Sequence, residues 1–205
     1  MSTEVWCPGS AVAKAESLTR PVSRLLDLSL LERDLPFGTT ARETKRTYYR
    51  LADPFLGFWY RFVEPNRSRL AKGQLSLVSK EVQEAWPQYF GKVWEQIARD
   101  SVARIEVANQ RWLPAGRWWG KGTDGQALEL DIVSSHPKNK KLCLVGEVKT
   151  TCSAKESQSL LEQLKSKAAR CPILQDKELV FVLFVLNRKG HFAYPHIIGA
   201  NEVCS

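Results

Sequence analysis

The chain has 205 residues, of which 43% are hydrophobic and 25% charged, and its formal net charge is +8. This is the composition of a soluble globular protein of one or two domains, and no apolar run approaches the roughly 18 residues that a membrane-spanning helix needs. The positive charge favours an anionic partner, and nucleic acid is the usual one, although the excess is spread along the whole chain.

The cysteines and the N-terminus indicate where the protein works. The number of cysteines is odd and no CxxC pair occurs, so we interpret them as free thiols in a reducing compartment. The N-terminus lacks a basic region followed by an apolar stretch, which argues against a secretory signal. We therefore predict a cytoplasmic protein without disulfides, whose cysteines lie at positions 7, 143, 152, 171 and 204.

The first 52 residues predict a partial winged helix-turn-helix. Residues 1–17 are expected to be poorly ordered, and Thr19 to cap a helix with Pro21 in its first turn. Residues 30–37 and 47–51 are two short strand candidates joined by a polar, basic segment. A helix followed by a hairpin with a basic tip is the back half of a winged helix, which we assign to residues 18–52.

Five basic residues of this region are candidates for DNA contact. A winged helix reads bases with one helix and contacts phosphates with its wing. The alternative is that the charged tip only keeps the hairpin soluble, and that the half-domain packs against a partner. The candidates on the helix and on the wing are Arg20, Arg24, Arg42, Lys45 and Arg46.

Residues 53–84 are interpreted as a helical linker. Asp53 and Pro54 form a helix start, aromatic residues follow at helical spacing as far as Phe62, and Pro65 is expected to end this helix. The aromatic stripe is interpreted as core rather than as a ligand site. A short basic helical turn follows at 67–72, and two further helices are predicted at 77–86 and 88–104.

The remaining residues, 85–205, predict an α/β domain. One tryptophan of the Trp118-Trp119 pair is expected to be buried and the other to face outwards, where it could stack on a base or a partner. The continuous apolar run at 179–186 suggests a strand buried on both faces. In chain order the domain reads helix, three strands, helix, strand, and the last five of these elements are 117–119, 127–134, 142–149, 154–169 and 179–186.

Acidic residues in the middle of apolar strands mark the candidate site. Asp131 lies in one strand and Glu147 in the next, and strand alternation places Lys149 on the same face as Glu147. If the two strands pair as a hairpin, Asp131 comes close to Glu147. Buried carboxylates are costly unless they are paired or bound to a metal, and Mg²⁺ prefers carboxylate oxygens. The competing interpretation is an exposed salt-bridged ladder, because the E-x-K pattern is short.

Three sequence blocks resemble the C-terminal region of the archaeal-type AAA-like ATPase family, over about three-quarters of the chain. The most specific block is YRLADPFLGFWYRFV at 49–63, with PNR at 65–67. The second is FGKVWE at 90–95. The third comprises RWW at 117–119, ELDIV at 129–133 and GEVK at 146–149. In that family an ATPase module precedes a winged helix and a PD-(D/E)XK nuclease-like domain.

The resemblance implies a restriction-endonuclease-like αβββαβ core for 85–205, preceded by the partial winged helix and the linker. It implies Mg²⁺ or Mn²⁺ at Asp131 and Glu147, with Lys149 stabilising charge at the phosphate. Glu95 would complete the surroundings of the metal or remain an ordinary solvated helix residue. The phosphate loop GxxxxGK[ST] does not occur, so we expect no ATP binding, and an ATPase module could be encoded separately.

Three functions remain open at this point. The chain could be a metal-dependent DNA nuclease, or a DNA-binding or ATPase-partner module with an inactive nuclease fold. It could also be an assembly part without a role on nucleic acid.

Overall fold

The computed structural model describes residues 15–44, 46–190, 192, 194 and 196–204. The chain starts with α1 (Ala15–Asp27) and the antiparallel hairpin β1 (Leu31–Asp34) and β2 (Tyr48–Leu51). The predicted hairpin is confirmed. The predicted cap is wrong, because Thr19 lies inside α1, which begins four residues earlier. The predicted disordered segment 1–17 lies mostly outside the described residues.

A chain of helical turns follows the hairpin. The turns are α2 (Pro54–Phe58), a π-helical turn (Trp59–Val63), a 3₁₀ turn (Glu64–Asn66) and α3 (Arg67–Ala71). Asp53 caps α2 as predicted, since its carboxylate accepts the backbone N–H of Phe55 at 2.7 Å. Pro65 does not end the helical segment, because it lies within the first two positions of the 3₁₀ turn, where its missing N–H costs nothing.

The two helices predicted at 77–86 and 88–104 form one helix, α4 (Leu75–Ser101). Pro87 removes one backbone hydrogen bond from the middle of this helix, but it lies on the exposed side, where water can reach the freed carbonyl. The helix therefore spans the boundary that the sequence suggested between residues 84 and 85.

A five-stranded mixed sheet follows α4 and makes this region an α/β structure. Its strands are β3 (Gly116–Lys121), β4 (Ala127–Ser135), β5 (Leu142–Ser153), β6 (Glu178–Lys189) and β7 (Ile197–Ile198), in the spatial order 3-4-5-6-7. The first three strands pair antiparallel, and β5, β6 and β7 run parallel. The four predicted strands are confirmed, while β7 was not foreseen.

Helices cover both faces of the sheet. α5 (Ala154–Ala169) connects β5 to β6 and buries Leu161, Leu164 and Ala168 against one face. α4 and the short α6 (Ala200–Val203) cover the other face, where Trp94 and Ala98 pack on the central strands. The central strands are thus buried on both sides, as the continuous apolar run of β6 predicted.

The N-terminal hairpin and the loop that joins its strands pack against β3, the outer strand of the sheet. The backbone N–H of Phe37 donates to the carbonyl of Arg117 at 2.8 Å, and the rings of Tyr48 and Trp119 lie 5.2 Å apart. Trp118 and Trp119 are both buried, so the expectation that one of them faces outwards is wrong. Tyr48 and the Arg117 guanidinium cover Trp119, and that guanidinium lies 4.7 Å from the centre of its ring.

Two further sequence expectations concern cysteines and membranes. Cys143, Cys152, Cys171 and Cys204 are free thiols, as predicted, and the first three are buried. No helix within the described ranges is long and apolar enough to cross a membrane.

Candidate active site

A bulge in β4 lies beside Asp131. Gly116 pairs with Val133 and Trp118 with Leu130, so β4 contains one residue more than β3 between these two pairs. Consistent with this, Leu130 and Val133 pack in the same core cluster on the α5 side of the sheet, although strict alternation would place them on opposite faces. The bulge therefore changes which side chains of β4 face α5 at the position of the acidic residue.

The neighbouring strand β5 brings Glu147 next to Asp131. Ile132 pairs with Gly146, and the carboxylate of Asp131 accepts the backbone N–H of Val148 at 2.9 Å. Gly146 permits this close pairing, because a Cβ there would lie only 3.0 Å from side-chain atoms of Ile132 and Val182. The predicted approach of Asp131 to Glu147 is thus what the strand register produces.

Glu147 is a buried carboxylate that binds two lysines. Lys149 Nζ donates to Glu147 Oε1 at 2.8 Å, and Lys167 Nζ donates to Oε2 at 2.8 Å. Burial would raise the pKa of Glu147, but the hydrogen bonds and charges of the two lysines outweigh it and hold that pKa below its usual value. Glu147 is therefore charged, and the exposed ladder considered as the alternative does not describe it.

Asp131 has the opposite electrostatic behaviour. Burial and the negative charge of Glu147 raise the pKa of Asp131 to about 6, against the lowering effect of the Val148 hydrogen bond. Two neighbouring carboxylates with displaced pKa values are typical of functional sites, because repulsion between them costs stability in the absence of a cation.

Helix α4 contributes Glu95 at the border of the site. The indole N–H of Trp94 donates to the carbonyl of Lys149 at 3.2 Å, which fixes this helix against β5. Burial raises the pKa of Glu95, and the charges of Arg99 and Lys149 are near enough to lower it in part. Glu95 is half-buried rather than an ordinary solvated residue.

Two charged residues of this region were not predicted from the sequence. Lys167 follows the buried Leu164 by three positions in α5, so helical periodicity could have placed it on the sheet side. Arg99 is 7% exposed, and it donates to the carbonyl of Asp131 at 3.0 Å and to the side chain of Gln96 at 3.1 Å. Because it lies one turn after Glu95, it could have been recognised as a neighbour of the site.

A cleft of about 830 Å³ lies between the hairpin, α2 and α4. Glu95, Arg99, Arg117 and Glu129 line it, whereas Asp131, Glu147 and Lys149 do not. Its other charged lining residues include Glu32 and Arg50, which form a salt bridge. The cleft thus reaches the border of the carboxylate site without containing it.

The residues proposed to contact DNA are separate from this site. Arg20, Arg24, Arg42 and Arg46 are exposed, and Lys45 lies outside the described residues. Arg46 also donates to the carbonyl of Trp119 at 3.3 Å, so part of the predicted wing is tied to β3. The DNA contacts stay a prediction.

The carboxylates of Asp131 and Glu147 are the groups of this site that could bind a metal ion. Among the residues that the structure describes, no three His, Cys, Asp or Glu side chains are grouped so that they could hold a metal ion. Mg²⁺ typically uses one or two protein carboxylates and keeps several waters, so Asp131 and Glu147 meet the minimum for this ion. They do not resemble a closed site for zinc.

Comparisons with known proteins agree with a relationship to proteins of unknown function. A family described as archaeal and bacterial proteins of unknown function, DUF234, matches residues 59–160. An uncharacterized protein of Methanocaldococcus jannaschii is 29% identical over 139 residues, which are 66% of this chain and 30% of that relative. The matched segment thus spans less than a third of the relative's length.

No solved structure matches the chain. The shared segment contains α4, β3, β4, β5 and all four candidate site residues. Over residues 59–160, which include Glu95, Asp131, Glu147 and Lys149, the chain is similar to this family of archaeal and bacterial proteins.

Proposed function

We propose that the chain carries a metal-dependent phosphodiester hydrolase site of the PD-(D/E)XK type, acting on DNA. The convergence of Asp131, Glu147 and Lys149 on adjoining strands carries this proposal, because Asp131 binds the Val148 N–H while Glu147 binds Lys149. The element order α4, β3, β4, β5, α5, β6 supports a restriction-endonuclease-like core. The net charge of +8 favours a polyanionic substrate.

Asp131 and Glu147 would hold Mg²⁺ or Mn²⁺. Their oxygens suit a hard cation, and the pKa of Asp131 is raised by burial and by the negative charge of Glu147, both of which a bound cation would offset. A bound divalent ion supplies stabilisation of the charge that develops on the scissile phosphate. Only one oxygen of Asp131, Oδ2, accepts a hydrogen bond from the described residues, which leaves the other for a ligand.

The remaining groups act through charge and position. Lys149 is half-exposed, with 39% of its side chain accessible, so its ammonium can contact both Glu147 and a phosphate outside the protein. Glu95 is proposed to orient Lys149 and the attacking water from the side of α4. Arg99 holds the backbone of Asp131 in place and is a positioning residue.

The test is cleavage of plasmid and single-stranded DNA with Mg²⁺, with Mn²⁺ and with EDTA. We expect cleavage with either metal, none with EDTA, and a loss of about 100-fold or more in Glu147→Ala and Lys149→Ala. Glu162→Gln is the matched control, because Glu162 is an exposed carboxylate whose salt bridge, among the described residues, is with Lys165 on the same helix. Cleavage that survives in the first two variants would come from a contaminant and would refute the proposal.

A second candidate is a module that binds DNA or a separate ATPase without cleaving. The saturation of both Glu147 oxygens by lysines favours it, since this arrangement balances the charge of the carboxylate without a metal. It predicts no cleavage, together with DNA binding that weakens as salt rises and in Arg20→Ala and Arg24→Ala. Absence of binding near physiological salt would instead favour an assembly part without a role on nucleic acid.

A further inference from the structure

The carboxylate of Glu147 is paired with two positive charges rather than one. Lys149 and Lys167 each place an ammonium 2.8 Å from one of its oxygens, and the Glu147 side chain is only 8% exposed. A divalent cation that binds Glu147 needs at least one of these oxygens. Each oxygen keeps a further lone pair, but an ammonium 2.8 Å away repels a divalent cation on the same oxygen, so metal binding is favoured when a lysine leaves.

The two lysines reach Glu147 from different elements, and both ammoniums have access to solvent. Lys149 lies two residues after Glu147 on the same face of the same strand, and the indole of Trp94 fixes its backbone carbonyl. Lys167 reaches Glu147 from α5, an element on which no other side chain bonds to this carboxylate. Its side chain is 30% exposed, so its four-carbon stem can move the ammonium towards solvent without displacing the helix.

We propose that Lys167 is a second cationic group of this site, which binds Glu147 in the metal-free protein and transfers to a phosphate of the DNA backbone when a divalent cation binds Glu147. This inference rests on the nuclease function proposed above. It makes Lys167 an internal competitor of the metal before substrate binds, and a substrate contact afterwards.

The exchange couples metal and DNA binding. An ammonium displaced from a buried carboxylate loses a charge-assisted hydrogen bond, and a phosphate oxygen can replace that bond. Metal binding should then strengthen DNA binding, and DNA should strengthen metal binding by the same factor. The group that mediates this coupling is the ammonium of Lys167.

The first measurement is Mn²⁺ binding to the full chain without DNA, in which electron paramagnetic resonance detects the free ion. Lys167→Gln removes the competitor, and we expect its affinity for Mn²⁺ to rise roughly three- to tenfold over wild type. Lys165→Gln is the matched control, because Lys165 lies on the same helix and pairs with Glu162. Its affinity for Mn²⁺ should stay at the wild-type value.

The second measurement is DNA cleavage at saturating Mn²⁺. Lys167→Gln should cleave roughly 10- to 100-fold more slowly although it binds the metal more tightly, because the phosphate has lost a cationic contact. Substitution of a residue with a merely structural role would not raise the affinity for Mn²⁺ and lower the rate of DNA cleavage at the same time.

Lys167→Arg keeps the test decisive if the glutamine variant does not fold. The guanidinium can bind a carboxylate through two hydrogen bonds and should compete more strongly, so Mn²⁺ affinity should fall about threefold or more. Unchanged or higher affinity in this variant would overturn the inference, as would an unchanged or lower affinity in a folded Lys167→Gln.

The result for wild type separates the two proposals. If wild-type protein binds no Mn²⁺ in a manner that depends on Glu147, the nuclease function fails and the inference fails with it. If wild type binds Mn²⁺ and cleaves DNA while both Lys167 variants behave like wild type, only the role of Lys167 is refuted.

Discussion

The five-stranded sheet and the N-terminal elements place their apolar side chains very differently. Among the described residues, every buried hydrophobic residue except Phe62 and Val78 lies between Trp94 and Val203. The large exposed hydrophobic residues lie almost entirely before Trp94, and they include Leu28, Phe55, Tyr60 and Leu75. The sheet and its helices therefore contain the hydrophobic core, and the N-terminal elements depend on contacts with them.

The same contrast applies to charged groups. In the sheet region one carboxylate, Glu147, enters the interior and pairs there with two lysines, while other salt bridges of that region, such as that of Arg170 with Asp124, remain exposed. In the N-terminal region, the salt bridges are at least one-third exposed, as between Arg69 and Glu81. Exposed pairs contribute little to stability, whereas removing one partner of a buried pair is costly. The carboxylate site thus lies in the part of the molecule that can hold it rigidly.

The largest effect is expected from Trp94→Ala. Trp94 is 2% exposed, packs on the central strands and binds the carbonyl of Lys149, so its loss should lower the free energy of unfolding by about 3–5 kcal/mol. Trp59→Ala is the control in the N-terminal region, where the indole is 38% exposed, and about 1 kcal/mol is expected. Urea denaturation measures both, and equal losses would contradict the contrast between the two regions.

The sequence predicted the paired carboxylates because their signal is local. Asp131, Glu147 and Lys149 lie in two consecutive strands, so a hairpin register is sufficient to bring them close, although the bulge beside Asp131 was not predicted. Strands β3 to β6 of the sheet and α5 were predicted correctly for the same reason, because their signals are also local, and α5 spans the predicted range 154–169.

Lys167, Arg99 and the docked hairpin were not predicted, because their contacts join distant segments. Lys167 and Glu147 are 20 residues apart, and Arg99 and Asp131 are 32 apart. Their pairing depends on how α5 and α4 pack on the sheet, which hydrophobic periodicity alone does not specify. The burial of Trp119 has the same origin, since Tyr48 covers it from a hairpin 71 positions earlier in the chain.

An intermediate effect with a defined pH dependence is expected from Asp131→Asn in EDTA. Because the pKa of Asp131 is about 6 in the folded protein and near 3.8 otherwise, the folded state binds more protons between these values. The contribution of Asp131 to wild-type stability should therefore fall as pH rises from about 4 to about 6, by about 2 kcal/mol after allowance for partial exposure. The asparagine variant lacks this loss.

The variant should accordingly match wild type near pH 4 and exceed it by about 2 kcal/mol near pH 8, as measured by thermal or urea unfolding. Asp124→Asn is the control in an exposed loop, where Arg170 lowers the pKa of the carboxylate, and no gain is expected from it. An Asp131→Asn protein less stable than wild type at pH 8 would show that this carboxylate stabilises the metal-free fold.

The smallest effect is expected where the two regions meet. Tyr48→Ala removes the ring that contacts Trp119 and faces the Arg117 guanidinium at 5.1 Å, which should cost about 0.5–1.5 kcal/mol. The consequence should be local, because the sheet keeps its own core. Amide hydrogen exchange should accelerate in β1 and β2 and stay unchanged in β5 and β6. Tyr49→Ala is the matched control, since Tyr49 contacts Arg33 of the same hairpin. If both variants accelerated exchange in β1 and β2 equally, the hairpin would be attached to the sheet by something other than the Tyr48 contact.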